Sequence, residues 1–158
     1  MKFMNEAERL EEIKTFIGNT KQSEELSFIL ISVLVCEKYI DEIIESMLIN
    51  GKYLTNFKES KLYLFDKMKI LKATGKFPER TYNMILGLNN LRNKFAHEIS
   101  YSITEKDIST FGKYMGEKYF KIIEISRKTN LEKMELIVFF TFGHLAKILE
   151  YKEEIKLK

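Results

Sequence analysis

The sequence predicts an all-α fold, a single-domain antiparallel bundle of about five to six helices. A single proline and seven glycines in 158 residues leave few positions where a helix must break. No stretch alternates apolar and polar residues as a strand does. Hydrophobic residues make up 45% of the chain and aromatic residues 13%, which excludes a disordered protein and supplies one substantial core.

Apolar spacing and capping residues predict the helices in order. They span about Met4 to Ile17, Ser23 to Asn50, Phe57 to Ala73, Phe77 to His97, Thr104 to Lys128, and Leu131 to Ile155. Gly51 to Asn56 is predicted as a loop, and Thr104 as the N-cap of the fifth helix. Because Leu26 to Cys36 is apolar nearly all round, the second helix is expected to run through the middle of the fold. Leu136 to Phe142 is equally apolar and is expected to enter the core, to cover a partner subunit, or both.

Charge and cysteine content set the cellular context that we expect. The net charge of +3, from 26 basic and 23 acidic residues, allows a local basic patch but does not by itself indicate nucleic-acid binding. The lone Cys36 forms no intramolecular disulfide, which fits a reducing cytoplasm. The most apolar run, Phe28 to Cys36, is far shorter than the roughly 20 residues of a bilayer span. We therefore expect a cytoplasmic protein without a membrane segment.

The stretch from Leu91 to His97 contains the candidate functional residues. On a helix, Asn89, Asn93 and His97 form one row at positions i, i+4 and i+8. This row consists of amides and an imidazole, whereas a solvated face usually carries Lys and Glu. Arg92 projects into the apolar arc of the same helix and needs a partner, because an unpaired buried guanidinium is very costly.

Two acidic residues on the second predicted helix are candidates for that partner. Glu37 falls within the apolar arc of its helix, and Asp41 lies one turn on, at the edge of the arc. We predict that Glu37, with or without Asp41, faces Arg92. The alternative is that Glu37 marks the point where its helix emerges into water.

Arg92, Asn93 and His97 together suit cleavage of an RNA phosphodiester. A base can take the proton of the 2′-hydroxyl, which then attacks the adjacent phosphorus, while arginine stabilises the charge on the phosphate. This route needs no cofactor and no metal, and the sequence has no His, Cys and Asp cluster at metal-ligand spacing. The second histidine, His144, is interpreted as packed or half-exposed instead of catalytic.

Helix geometry separates two members of this set. Arg92 and His97 are five residues apart, about 140° around a regular helix, so they do not share a face. Three arrangements would bring them together: the helix loosens before His97, the Arg92 side chain turns round the helix, or a two-fold axis pairs two copies of the stretch.

The sequence Arg92-Asn93-Lys94-Phe95-Ala96-His97 resembles the Arg-polar-x-x-x-His motif of the HEPN superfamily (higher eukaryotes and prokaryotes nucleotide-binding). These helical domains include many RNases of toxin-antitoxin, phage-defence and RNA-processing systems. The stretch from Phe57-Lys58-Glu59-Ser60-Lys61-Leu62 through Leu71, Gly75 and Tyr82 to His97 is similar to the mannitol operon repressor-like branch. The resemblance covers about residues 26 to 110, and the position of the motif late in a helix adds to its value.

The resemblance implies one HEPN-like domain over residues 1–158, with a motif-bearing core over residues 22–128 and a C-terminal helix over residues 130–155. It implies that Arg92, Asn93 and His97 form a composite RNase site in a homodimer that acts on RNA. An antitoxin or another regulatory protein would be its partner. The mannitol repressor-like branch implies an alternative, a non-catalytic regulatory module that acts through a protein partner.

One departure from the HEPN pattern concerns regulation. Toxins of this superfamily that are paired with nucleotidyltransferase antitoxins often have a tyrosine two residues after the histidine, where nucleotide transfer inactivates them. Here that position is Ile99, and the nearest tyrosine is Tyr101. We therefore do not expect control by that modification. Two further interpretations of the motif stay open: a polar network that only fixes helix packing, and nucleotide or RNA binding without cleavage.

Overall fold

Apolar side chains at helical spacing organise the chain into helices around one core. The computed structural model describes residues 23–56, 58, 62–98 and 100–156, and these ranges contain seven helices and no strand. The helices are α1 (Ser23–Met47), α2 (Lys52–Thr55), α3 (Leu64–Ala73), α4 (Glu79–His97), α5 (Glu105–Met115), α6 (Glu117–Ile125) and α7 (Asn130–Lys156). The prediction of an all-α helical bundle is confirmed. The helix predicted over Met4 to Ile17 lies outside the described residues.

The centre of the bundle is formed by α1, α4 and α7. Glu25 at the start of α1 accepts a hydrogen bond from the backbone N–H of Ile103, and Asn130 at the start of α7 donates to the carbonyl of Ile103. Both helices therefore begin at the same end of the bundle and run parallel. The loop that contains Ile103 follows α4, so α4 ends at this end of the bundle and runs antiparallel to α1 and α7. Helices α3 and α5 both pack against α4.

The long helix α1 is central but is not buried on every side. Ile29, Val33, Cys36, Ile40, Ile43 and Ile44 are buried in the core. On the other face, Ile31 and Leu34 are 60% and 64% exposed. The helix therefore runs through the middle of the fold with one face, as expected, while its other apolar face lies at the surface. In α7, Ile137 and Thr141 are fully buried whereas Phe139 is 75% exposed, so that apolar segment also has an outer face.

The helix predicted over Thr104 to Lys128 is divided in two at Gly116. This residue has φ +90° and ψ 148°, a conformation that only glycine adopts readily. The break turns α6 back along α5, and the ring of Phe120 then packs directly over Gly112. A continuous helix would have carried Phe120 away from this contact.

Other helix boundaries differ from prediction by a few residues. The predicted loop from Gly51 to Asn56 contains the single turn of α2. The predicted start of the third helix, Phe57, lies outside the described residues. Helix α3 begins at Leu64, after Tyr63, which is extended with φ −88° and ψ 164°. The predicted cap at Thr104 is confirmed: its side chain and that of Asp107 form a capping box. None of the helices in the described parts of the chain combines the length and the apolar composition that a membrane span requires.

Candidate functional site

The packing of α4 determines which of its residues reach the surface. Leu88, Leu91 and Phe95 are buried against the core. The row formed by Asn89, Asn93 and His97 lies away from this buried stripe; both asparagines are half-buried and His97 is exposed. Burial of one stripe therefore presents the predicted row at the outer edge of the bundle.

The Arg92 guanidinium is hydrogen-bonded to its neighbour Asn93. Its Nε and Nη2 atoms donate to Oδ1 of Asn93 over 3.3 and 2.9 Å. The half-buried side chain forms no ion pair with any described residue. Arg92 thus turns round the helix towards the predicted row, and its positive charge is not neutralised by a carboxylate within the described parts of the chain.

The predicted pairing of Arg92 with Glu37 and Asp41 is wrong. Both acidic residues bind Lys67 of α3: its Nζ lies 3.0 Å from Oε1 of Glu37 and 2.8 Å from Oδ1 of Asp41. Helix α3 packs against this part of α1 and supplies the cation, and the Lys67 side chain is only 5% exposed. Glu37 and Asp41 therefore belong to a structural cluster instead of the candidate site.

Burial and charge act in opposite directions within this cluster. Burial raises the pKa of the Asp41 carboxyl, and the hydrogen bond and charge of Lys67 offset only part of that rise. Burial alone would lower the pKa of Lys67, but hydrogen bonds to Asp41 and Glu37 raise it above its ordinary value. The lysine accordingly stays protonated and holds α3 against α1.

His97 is the last residue of α4 and follows a regular final turn. The backbone N–H of Glu98 donates to the carbonyl of Lys94 over 2.8 Å, and Glu98 itself is extended. The helix therefore does not loosen before His97, which excludes one of the three predicted arrangements. The imidazole makes no hydrogen bond to any residue that the structure describes, so both of its nitrogens are open to a ligand.

A polar network next to His97 was not predicted from the sequence. Lys94 Nζ donates to Oδ1 of Asp107 over 2.7 Å and to the Tyr101 hydroxyl over 3.1 Å. Tyr101 in turn donates to Oδ2 of Asp107 over 2.6 Å, and Thr104 donates to the same atom through its backbone N–H and hydroxyl. Together these bonds fasten the end of α4 to the start of α5.

Asp107 is the centre of this network. Burial alone would raise the pKa of its carboxyl, but the hydrogen bonds from Lys94, Tyr101 and Thr104 outweigh burial and lower it. The capping motif identified Asp107 as the third residue of a helix, and Lys94 lies within the motif itself. No sequence signal connected the two, because they are thirteen residues apart and meet only when α4 and α5 pack together.

Cys36 and His144 are two further side chains that could act as an acid, a base or a nucleophile, but neither lies in a setting suited to catalysis. Burial raises the pKa of the Cys36 thiol to about 12, so it is protonated and inert at neutral pH. His144 is half-buried with its ring 4.5 Å from that of Phe140, as predicted, and burial together with Arg80 and Lys147 lowers its pKa. Among the described residues, no three His, Cys, Asp or Glu side chains are grouped to hold a metal ion.

Comparison with protein-family models, with curated proteins and with solved structures gives no significant match to this chain.

Proposed function

We propose that this protein is a cytoplasmic, metal-independent endoribonuclease of HEPN type that acts as a homodimer with a composite site. The observation that carries the proposal is the state of Arg92: a half-buried guanidinium held by the Asn93 amide and by no carboxylate of the described residues. Such a group retains its charge and free donors for an anion, and RNA phosphate has the matching charge and geometry.

The proposed reaction assigns one role to each motif residue. An unprotonated His97 takes the proton of a 2′-hydroxyl, whose oxygen forms a bond to the adjacent phosphorus. The bond from phosphorus to the 5′-oxygen breaks, and a protonated His97 gives that oxygen a proton. Arg92 stabilises the charge on the phosphate oxygens, and Asn93 orients Arg92 through its side-chain oxygen. The products are a 2′,3′-cyclic phosphate and a 5′-hydroxyl.

The outer face of α4 supports the proposal of a dimer. From Tyr82 to His97 this face contains no Lys, Arg, Asp or Glu. Its residues are Tyr82, Leu86, Asn89, Asn93, Ala96 and His97. These four charged residue types make up 31% of the whole chain, so a strip of this length without them is unusual on its surface. Depletion of Lys and Glu is typical of the centre of a protein interface. A two-fold axis on this strip would bring two histidines into one cleft and supply both the acid and the base.

The direct test is RNA cleavage in the presence of EDTA. We expect cleavage by the wild type, a loss of roughly 10²- to 10⁴-fold in His97→Ala, and a loss of roughly 10²- to 10³-fold in Arg92→Ala. Arg127→Ala, at an exposed arginine in the segment between α6 and α7, is the matched control and should cleave like the wild type. Wild-type cleavage rates in both Arg92→Ala and His97→Ala would show that these residues do not form the active site.

Mixing the wild type with His97→Ala in equal amounts tests the composite site. Before subunit exchange, half of the dimers are wild type, so the mixture has half the activity of the same amount of wild type. If a cleft needs the histidines of both subunits, heterodimers are inactive and random exchange lowers the activity to about a quarter, the share of wild-type dimers. Activity that stays at one half after confirmed exchange would show that each site uses the histidine of one subunit only.

The second candidate function is a mannitol repressor-like regulatory module without catalysis, acting through a protein partner. Exposed apolar side chains favour it: Ile31 and Leu34 on α1 and Phe139 on α7 are each at least 60% exposed. An antitoxin or another regulator would bind such a face. A purified dimer without RNase activity, together with partner binding that Ile31→Asp and Leu34→Asp abolish, would favour this function over the nuclease.

A further inference from the structure

The groove between α4 and α5 is a separate feature that lies beside the candidate site. Its volume is about 380 Å³, at the lower end of the range for small-ligand sites. Helix α4 lines it with Asn83, Gly87, Asn90 and Lys94, positions that share one face at i, i+4, i+7 and i+11. Helix α5 lines the opposite wall with Asp107, Thr110, Phe111 and Tyr114.

A glycine determines how deep this groove is. At Gly87, a Cβ atom would lie 2.8 Å from Cε1 of Phe111, so only glycine allows that ring to approach the α4 backbone. Phe111 is only 2% exposed, so its ring closes the bottom of the groove without offering an open face, and the half-buried Tyr114 ring stands at the edge. Tyr114 is therefore the aromatic residue of the groove that a planar ring can contact.

Four of the six polar side chains that line the groove are neutral, and one of these, Thr110, donates to the carbonyl of Lys106. The side chains of Asn83 and Asn90 make no hydrogen bond to any described residue. The two charged residues, Lys94 and Asp107, are bonded to each other over 2.7 Å and largely cancel. The groove thus suits an uncharged group with its own donors and acceptors better than it suits a phosphate or a carboxylate.

We propose that this groove is the nucleobase-binding subsite of the enzyme and holds an unpaired base next to the cleaved phosphate. This rests on the proposed endoribonuclease function. Asparagine pairs in a bidentate manner with the edge of a base, and single-stranded RNA is read by such bonds and by contact with aromatic rings. Asn90 and His97 lie seven residues apart on α4, about 10 Å along its axis, so one RNA strand can reach both.

Binding of short RNAs to a cleavage-deficient protein tests the subsite. The His97→Ala protein is titrated with single-stranded hexaribonucleotides of A, C, G and U, and binding is followed by fluorescence anisotropy. Adding Asn83→Ala or Asn90→Ala should weaken binding of the preferred hexamer by about fivefold each, the effect of one hydrogen bond. Asn50→Ala, an exposed asparagine in the turn after α1, is the matched control and should leave binding unchanged.

An abasic hexamer distinguishes base contacts from backbone contacts. It keeps the ribose-phosphate chain, so the asparagine variants should bind it as the parent does. Equal losses with abasic and normal RNA, or no loss with either, would overturn the subsite. Circular dichroism of each variant checks that the helices remain folded.

The outcome is independent of the nuclease test. Asparagine-dependent base binding by a wild type that does not cleave RNA would support the subsite and reject the nuclease. Cleavage that depends on Arg92 and His97, with base binding unaffected by Asn83→Ala and Asn90→Ala, would support the nuclease and reject the subsite.

Discussion

Lys67 and Arg92 are both cationic residues on helices that pack against the same core, yet their surroundings differ. Lys67 is almost fully buried and is bound by two carboxylates from α1. Arg92 is half-buried, and its hydrogen bonds among the described residues go to the neutral amide of Asn93. The charge of Lys67 thus stabilises the packing of α3 on α1, whereas the charge of Arg92 is not paired with a carboxylate of the described residues. A charge that the fold does not use is the better candidate for binding an external anion.

The largest effect on stability is expected from Lys67→Met. It leaves Glu37 and Asp41 without their cation at a half-buried position, and water reaches these carboxylates in part. We expect a loss of about 2 to 3 kcal/mol in the free energy of unfolding. The melting temperature should fall by roughly 5 to 10 °C, measured by far-UV circular dichroism. Lys69→Met, at a residue with a 58% exposed side chain on the same helix, is the control. A loss as small as that of the control would show that the cluster does not hold α3 in place.

A smaller effect is expected from Asp107→Asn, which removes the charged acceptor of four hydrogen bonds. We expect a loss of about 2 kcal/mol at neutral pH, the sum of a weakened cap and a weakened ion pair. Glu124→Gln, at an exposed carboxylate on α6, should have little effect. Denaturant titration gives both values.

The loss of stability in Asp107→Asn should depend on pH. Because folding lowers the pKa of Asp107 below 3.8, its carboxylate contributes fully above that pH. The contribution is lost as the pH falls from 3.8 through the lowered pKa of the folded protein. The stability difference between wild type and Asp107→Asn should therefore shrink in that acidic interval. A difference that stays constant down to the acid transition would contradict the network.

The smallest effect on stability is expected from Arg92→Gln. Since no carboxylate among the described residues depends on this guanidinium, the free energy of unfolding should change by less than about 0.5 kcal/mol, like that of the exposed control Arg127→Gln. RNA cleavage should nevertheless fall by roughly 10²-fold or more. If Arg92→Gln destabilised the protein about as much as Lys67→Met and left cleavage unchanged, Arg92 would be a structural cation like Lys67. The proposed difference between the two residues would then be wrong.

Prediction from sequence was most accurate where the signal is local. The end of α4 at His97 and the capping box at Thr104 depend on residues within a few positions of each other. The break at Gly116 was missed, because a single glycine is tolerated within many helices and its φ of +90° depends on how α6 packs over α5. Tyr101 was noted as a tyrosine near the motif, but its bond to Asp107 was not predicted. Ile99, the position compared with the modified tyrosine of toxins in the superfamily that the motif resembles, lies outside the described residues.

The sequence by itself determined the helical class and the outward row of Asn89, Asn93 and His97, since both follow from the spacing of apolar residues along one chain segment. Only the tertiary structure decided which charges meet. Glu37 and Asp41 needed a cation, as expected for carboxylates on an apolar arc, but the packing of α3 brought Lys67 to them instead of Arg92. Side-chain partners between helices depend on how the helices dock, and helical periodicity contains no information about docking. That packing leaves Arg92 hydrogen-bonded to Asn93 and without a carboxylate partner among the described residues.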